Sequence, residues 1–287
     1  MYSLPVMMCC FVIMVGKGFS VRALWNYLKR DDLDAVMIRE VVEFPDGNIP
    51  NRRTFDRRLS KWSQSAITYI EAAIRWFTIK KLIGVARLAL DRRMFNALGK
   101  LWHSKDQKLG IIPKGLRNVD KDASWSKSHY RGWVFGHGLD VIVTVGKLVL
   151  PVLASAVSLK IHENQIAKRL VKLLPKVKKG SMGGDYSYHD PELKAMLALS
   201  GRSLQAAGRK GQLPKGKTYR RRKVTVEPFF ERLLLAFPHL QYKLPVKGET
   251  RVAGHLLTAV FLYQVAVILN VVTKKPPLEV THLIQFL

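Results

Sequence analysis

Tyr219-Arg220-Arg221-Arg222-Lys223-Val224-Thr225-Val226-Glu227-Pro228-Phe229-Phe230-Glu231-Arg232 sets a basic cluster directly against an apolar helix led by one acid. The helix assignment rests on Pro228, which is tolerated only in a first helical turn, and on Thr225 as its expected cap. From Leu193 to Val226 there is no Asp or Glu, while ten Lys or Arg occur. Such a cluster suits a polyanion, which it binds through phosphate contacts and counterion release. A carboxylate among phosphates is unfavourable unless a divalent cation bridges them, and Mg²⁺ prefers a few carboxylates plus phosphate oxygens. Glu227 therefore reads as a metal ligand beside a phosphate-binding surface.

Working outward, two aspartates stand in comparable settings. Asp91 closes the short apolar run Val85-Ala86-Arg87-Leu88-Ala89-Leu90. Asp185 lies in Gly183-Gly184-Asp185-Tyr186-Ser187-Tyr188-His189-Asp190-Pro191. Asp190 before Pro191 is explained as a helix N-cap, which leaves Asp185 over. Trp133, Phe135, Leu139, Val141, Val143 and Val145 alternate as a strand, with His137 as a core histidine on that face. Residues 149–159 read as a second buried strand, 164–174 as a helix, and 204–207 as a short strand. Strands alternating with helices, with acids at strand ends, indicate an α/β core.

Residues 1–84 read as a helical amino-terminal region and 85–287 as the α/β unit. After the break at Asp46-Gly47-Asn48-Ile49-Pro50, Phe55 and Leu59 share one helix face while Arg53 and Arg57 share another. With Arg52, these form a candidate DNA-facing surface; a solvated basic face explains them equally well. Against 21 Asp and Glu, the 48 Lys and Arg give a formal charge of +27, which favours a nucleic-acid partner. The two cysteines, Cys9 and Cys10, are adjacent and cannot staple distant segments, so a reducing cytoplasmic compartment is expected. Residues 252–272 are long enough to cross a bilayer, which takes roughly 20 residues. His255, Thr258, Tyr263, Gln264 and Asn270 recur through them, so a core helix and no membrane partner are expected.

Taken in order, these pieces resemble the DDE transposases of bacterial insertion sequences. The resemblance spans nearly the whole chain. It rests on Pro50-Asn51-Arg52-Arg53-Thr54-Phe55, Leu90-Asp91, Trp102-His103 with Lys105 and Asp106, and Gly115-Leu116-Arg117 with Asp120 and Asp122-Ala123-Ser124-Trp125. It continues through Gly132-Trp133-Val134-Phe135-Gly136, Asp185 to Leu193, and Val226-Glu227-Pro228-Phe229-Phe230-Glu231-Arg232-Leu233. The resemblance implies a ribonuclease-H-like core: a mixed central sheet flanked by helices, behind a helical amino-terminal region. It implies Asp91, Asp185 and Glu227 as a catalytic triad binding two Mg²⁺ or Mn²⁺ ions, for cleavage and strand transfer of double-stranded DNA. Glu231 is the rival for Glu227.

The chain departs from the family pattern at Arg92-Arg93, where a small hydroxyl residue is usual, and at Leu234, where a lysine is. These departures keep a second reading open, a catalytically impaired remnant that only binds DNA. A basic membrane protein is the third. Lys105, Lys108, Arg209, Lys210, Tyr219, Arg220, Arg221, Arg222 and Lys223 join Arg52, Arg53 and Arg57 as candidate DNA contacts. His103, Trp102 and Trp125 could touch an element's end, although core packing is the better reading of both tryptophans. Tyr186 and Tyr188 read as packing residues. A homodimer on DNA and association with the bacterial nucleoid complete the expectations.

Overall fold

The apolar run before Asp91 does not stop there. In the computed structural model it becomes β1 (Arg87–Asn96). The structure describes residues 2–128, 131–206, 217–222 (217–219 as backbone only) and 224–285. On one side β1 pairs antiparallel with β3 (Gly132–Thr144). The far edge of β3 carries two strands end to end. β2 (Ser124–Ser128) lies against residues 132–136 and β4 (Pro151–Ser158) against 137–143, both antiparallel. On its other side β1 is parallel to β5 (Gly180–Gly184), which is parallel to β6 (Arg202–Ala206). The order from edge to edge is β4-β3-β1-β5-β6. Helix α6 (Glu163–Val171) connects β4 to β5, and α7 (Pro191–Leu199) connects β5 to β6, as parallel pairing requires.

One glycine makes the central pairing possible. A Cβ on Gly136 would stand 1.8 Å from the carbonyl oxygen of Phe95, so only glycine lets β3 close on β1 at this point. Past it, β3 is buried along both faces, as a strand covered on two sides should be.

The amino-terminal helices are α1 (Leu4–Gly16), α2 (Val21–Leu28), α3 (Leu33–Val42) and α4 (Arg52–Ile79). Ser3, Ser20, Asp32 and Asn51 each accept a backbone N–H at their starts, as the small polar residues before the apolar runs would lead one to expect. On α4, Phe55, Leu59, Trp62, Ala66, Ile70, Ile74 and Phe77 recur at intervals of three or four and are all buried. That stripe packs along α10 (Glu249–Val272), and both helices lie on β4. The helical region and the sheet thus share one apolar core.

The polar residues within α10 explain why so apolar a helix belongs inside this fold. Thr258 accepts from the Trp62 indole at 2.7 Å and donates to the Gly254 carbonyl at 2.6 Å. Gln264 donates to the Pro151 carbonyl at 2.8 Å, and Asn270 to that of Glu279 at 3.0 Å. His255 and His239 face each other at 3.0 Å between their Nε2 atoms. Each of these groups would cost several kcal/mol in lipid without a partner, at about 2–7 kcal/mol apiece. By length and composition α10 could cross a bilayer; in the structure most of it is buried.

Candidate active site

Strand register brings the two aspartates together. Leu88 pairs with Met182 and Ala89 with Gly183 across the parallel β1–β5 ladder. Two residues further on, this register places Asp91 beside Asp185, which follows the last residue of β5 directly. Asp185 accepts hydrogen bonds from the backbone N–H and hydroxyl of Ser187, and so opens the turn Tyr186–Tyr188. Asp91 accepts from the Arg92 N–H at 2.9 Å.

Arg222 ties the third acid to this pair. It ends α8 (Lys217–Arg222), is only 8% exposed, and places Nη1 3.1 Å from Asp91 Oδ2. Its Nη2 lies 3.9 Å from Oε1 of Glu227, in the first turn of α9 (Val226–Ala236). One guanidinium therefore faces both carboxylates. Burial pushes the Asp91 carboxyl up to about 7, with Arg222 opposing and the charges of Asp185 and Glu163 adding to the rise. Among the described residues, no three His, Cys, Asp or Glu side chains stand close enough to hold a metal ion. In this arrangement the cation that Asp91 and Glu227 meet is Arg222.

Asp91, Asp185 and Glu227 are donors of the type a hard divalent cation takes, although as placed here they do not close around one. Mg²⁺ takes carboxylate oxygens and keeps open positions for water and phosphate. Burial is the main cause of the raised Asp91 carboxyl, which Arg222 offsets only in part.

Two sequence expectations change here. Asp91 was expected at a strand end, but β1 runs on to Asn96. The reason is Arg92, which points to the opposite face and pairs with Asp140, its register partner on β3. The pair is bidentate, at 2.8 and 2.9 Å, and Arg92 also donates to the Ile161 carbonyl at 2.8 Å. Arg92 thus has a buried structural partner that stabilises continued pairing. Thr225, expected to cap α9, makes no side-chain cap. Its hydroxyl turns back onto the carbonyls of Arg221 and Arg222, both at 2.9 Å, and so fixes the end of α8.

Two acids escaped the sequence reading. Asp140 is wholly buried in β3, where burial raises its carboxyl against the pull of Arg92. A lone acid in Gly138-Leu139-Asp140-Val141-Ile142 was the available signal, since such a residue needs a buried cation opposite. Glu163 opens α6 and accepts from the Tyr188 hydroxyl at 3.4 Å; its charge also raises Asp91. Nothing local in the sequence distinguishes it from an ordinary first-turn acid.

The basic candidates divide. Arg53 and Arg57 are exposed on α4, with Arg52 half-buried beside them and Phe55 and Leu59 turned inward. Lys105 and Lys108, on α5 (Ser104–Lys108), are exposed, as are Arg220 and Arg221. Arg222 instead points into the acid cluster. Arg202, in the same basic stretch, is buried and donates to the carbonyls of Pro175 and Val85, both at 2.8 Å. Tyr219 belongs to α8, and Arg209, Lys210 and Lys223 lie outside the described residues. The Trp102 indole donates to the Ile111 carbonyl and that of Trp125 to the Trp102 carbonyl, which is core packing. His137 is buried with Nε2 3.0 Å from Asp120. Tyr188 is buried, whereas Tyr186 is exposed.

No family model matches the chain, and no curated protein matches it. Among solved structures it is similar to a cryo-EM structure of a piggyBac transposase synaptic complex with hairpin DNA. The identity is 8% and the TM-score 0.44, over 99% of this chain and 80% of that one. A likeness at that level does not define the fold family or the function of this chain.

Proposed function

We propose that this chain is a DNA transposase with a ribonuclease-H-like catalytic core, in which Asp91, Asp185 and Glu227 serve metal-dependent strand cleavage and strand transfer. The observation that carries the reading is the juxtaposition of Asp91 with Asp185 on neighbouring parallel strands, with Glu227 joined to Asp91 through Arg222. Three antiparallel strands followed by two parallel ones, with the acids on the central strand and just past its parallel neighbour, support the ribonuclease-H-like assignment. The basic surface supports a DNA partner.

Asp91 and Asp185 would hold the metal from the sheet and Glu227 from the helix above it. Divalent cations bound there supply Lewis-acid activation of a water or a 3′-hydroxyl and stabilise the leaving oxygen. The chain's own part is placement. The sheet fixes the two aspartates, while α9 presents Glu227 at the solvent side, where its side chain is 49% exposed. Arg222 holds Asp91 and Glu227 in one neighbourhood before DNA arrives. The exposed Arg220 and Arg221 lie next to it in sequence and hold phosphates without reading bases.

The second reading, a DNA-binding remnant, draws on one observation: the guanidinium of Arg222 already satisfies Asp91. A joining assay separates the two. A labelled duplex with free 3′-hydroxyl ends is incubated with supercoiled plasmid and Mn²⁺. Label covalently transferred to the plasmid supports the transposase. Retained DNA binding with neither nicking nor transfer supports the remnant.

A further inference from the structure

Away from the acids, a groove of about 1170 Å³ lies between the β2–β3 hairpin, α5 and the start of α10. Its wall carries Trp133, which is 66% exposed, whereas the other five tryptophans are buried or half-buried. Lys108, Lys121 and Lys160, all exposed, line the same groove. Two acids also line it. Asp122 is engaged, accepting the Glu249 backbone N–H at 3.0 Å as α10 begins, and Glu249 is half-buried.

Trp133 has firm support. Phe135, two residues along the same strand face, is buried against Trp102 and Ala123 with Trp125 beside it. Lys127 is the register partner of Trp133 on β2. An indole standing free on a packed base, with ammonium groups around it, is the chemistry that holds unpaired nucleobases: the ring stacks on the base and the cations hold the flanking phosphates. A blunt duplex covers every base face except the outer faces of its two terminal pairs, so a single strand offers such a ring many more.

We infer that this groove binds a single-stranded segment of DNA, with one nucleobase stacked on Trp133 and its phosphates on Lys108, Lys121 and Lys160. The inference rests on the DNA-processing reading and adds the form of the substrate. Geometry connects the two places. Trp133 lies on the same face of β3 as Val141, which pairs with Asp91. Eight residues of strand separate Trp133 from Val141, roughly 27 Å at ~3.4 Å per residue. That span equals about eight base-pair steps of duplex DNA at ~3.4 Å each. An unpaired end on Trp133 and a scissile phosphate at Asp91 thus fit on one DNA strand.

The test is fluorescence anisotropy in EDTA, with a labelled single-stranded oligonucleotide and a blunt duplex of the same length. Trp133→Ala should weaken single-strand binding by about 5- to 150-fold, the loss of one stacked base. Trp133→Phe should recover most of that loss, and duplex affinity should stay within about twofold, on the same stacking argument. Quenching of tryptophan emission by the single strand should disappear in Trp133→Ala. Because Trp133 is exposed, an unchanged melting temperature will certify the fold of each variant. Equal loss on duplex and single strand, or no loss on either, overturns the inference; so does heparin competing as well as the single strand against the wild-type protein. No metal is present, so the result is independent of cleavage: failure here leaves the acid cluster's role standing, and failure to cleave leaves the groove standing.

Discussion

Arg222 is the residue on which the site's chemistry turns. A buried guanidinium between two carboxylates holds them together when no other cation is there and, under the proposed function, occupies the charge position that a divalent ion would take. Removing it leaves Asp91 without its cation, at a cost of about 1–3 kcal/mol. Arg222→Ala should therefore melt earlier than wild type in EDTA, and Mg²⁺ should raise its melting temperature more than it raises that of wild type. Equal Mg²⁺ effects on the two proteins would show that guanidinium and metal do not compete. His239 and His255 are a second residue-scale case. Burial lowers His239 to about 4 and drives His255 well below its ordinary value, and the 3.0 Å contact requires one ring to donate while the other accepts. Both are thus neutral when folded but protonate near 6.5 when unfolded. Their stabilising effect is full above pH 6.5 and is lost as pH falls toward 4, at about 1.4 kcal/mol per pH unit for each neutral histidine. Thermal melts from pH 7 to 4 should show that limb, and His239→Leu should shallow it.

Among the elements, α10 shows how the same residues support two opposite readings until their partners are seen. Its leucines and valines suit lipid or core alike, and in the structure its polar positions find partners inside the fold. Thr258, Gln264, Asn270 and His255 each bond to a named group inside the fold. Leu256 is fully buried, so Leu256→Asp should destabilise by on the order of 4 kcal/mol or more, read as collapse of the thermal transition. A variant melting within a few degrees of wild type would place that face in contact with something other than protein core. β3, β4, β6, α6, α7 and α9 were legible because alternation, helical periodicity, Asp190-Pro191 and the Pro228 helix start are local signals, whereas β2, β5, α5 and α8 were not read. The end of β1 was not, because its continuation depends on Arg92 meeting Asp140 48 positions later. Glu163 and the inward turn of Arg222 were hidden for the same reason, since both are defined by what other elements bring to them.

For the whole molecule, charge and shape divide the work. The +27 excess attracts polyanions from any side, while the sheet sets Asp91 beside Asp185 and Arg222 links Asp91 to Glu227 on α9. Arg220 and Arg221, exposed beside that place, should hold DNA backbone irrespective of sequence. Neutralising both to Gln should weaken binding to all duplexes alike and flatten the salt dependence by about two charges. Loss confined to particular sequences would make them base readers instead. The central claim, that Asp91, Asp185 and Glu227 form one metal-dependent cleavage centre, is tested most directly by nicking of supercoiled plasmid in Mn²⁺. Wild type should convert it to open circle and should do nothing in EDTA. Asp91→Asn, Asp185→Asn and Glu227→Gln should each abolish nicking while still folding and binding DNA, and Glu231→Gln should nick as wild type does. Nicking that survives in any of the three, or that proceeds in EDTA, would contradict the account.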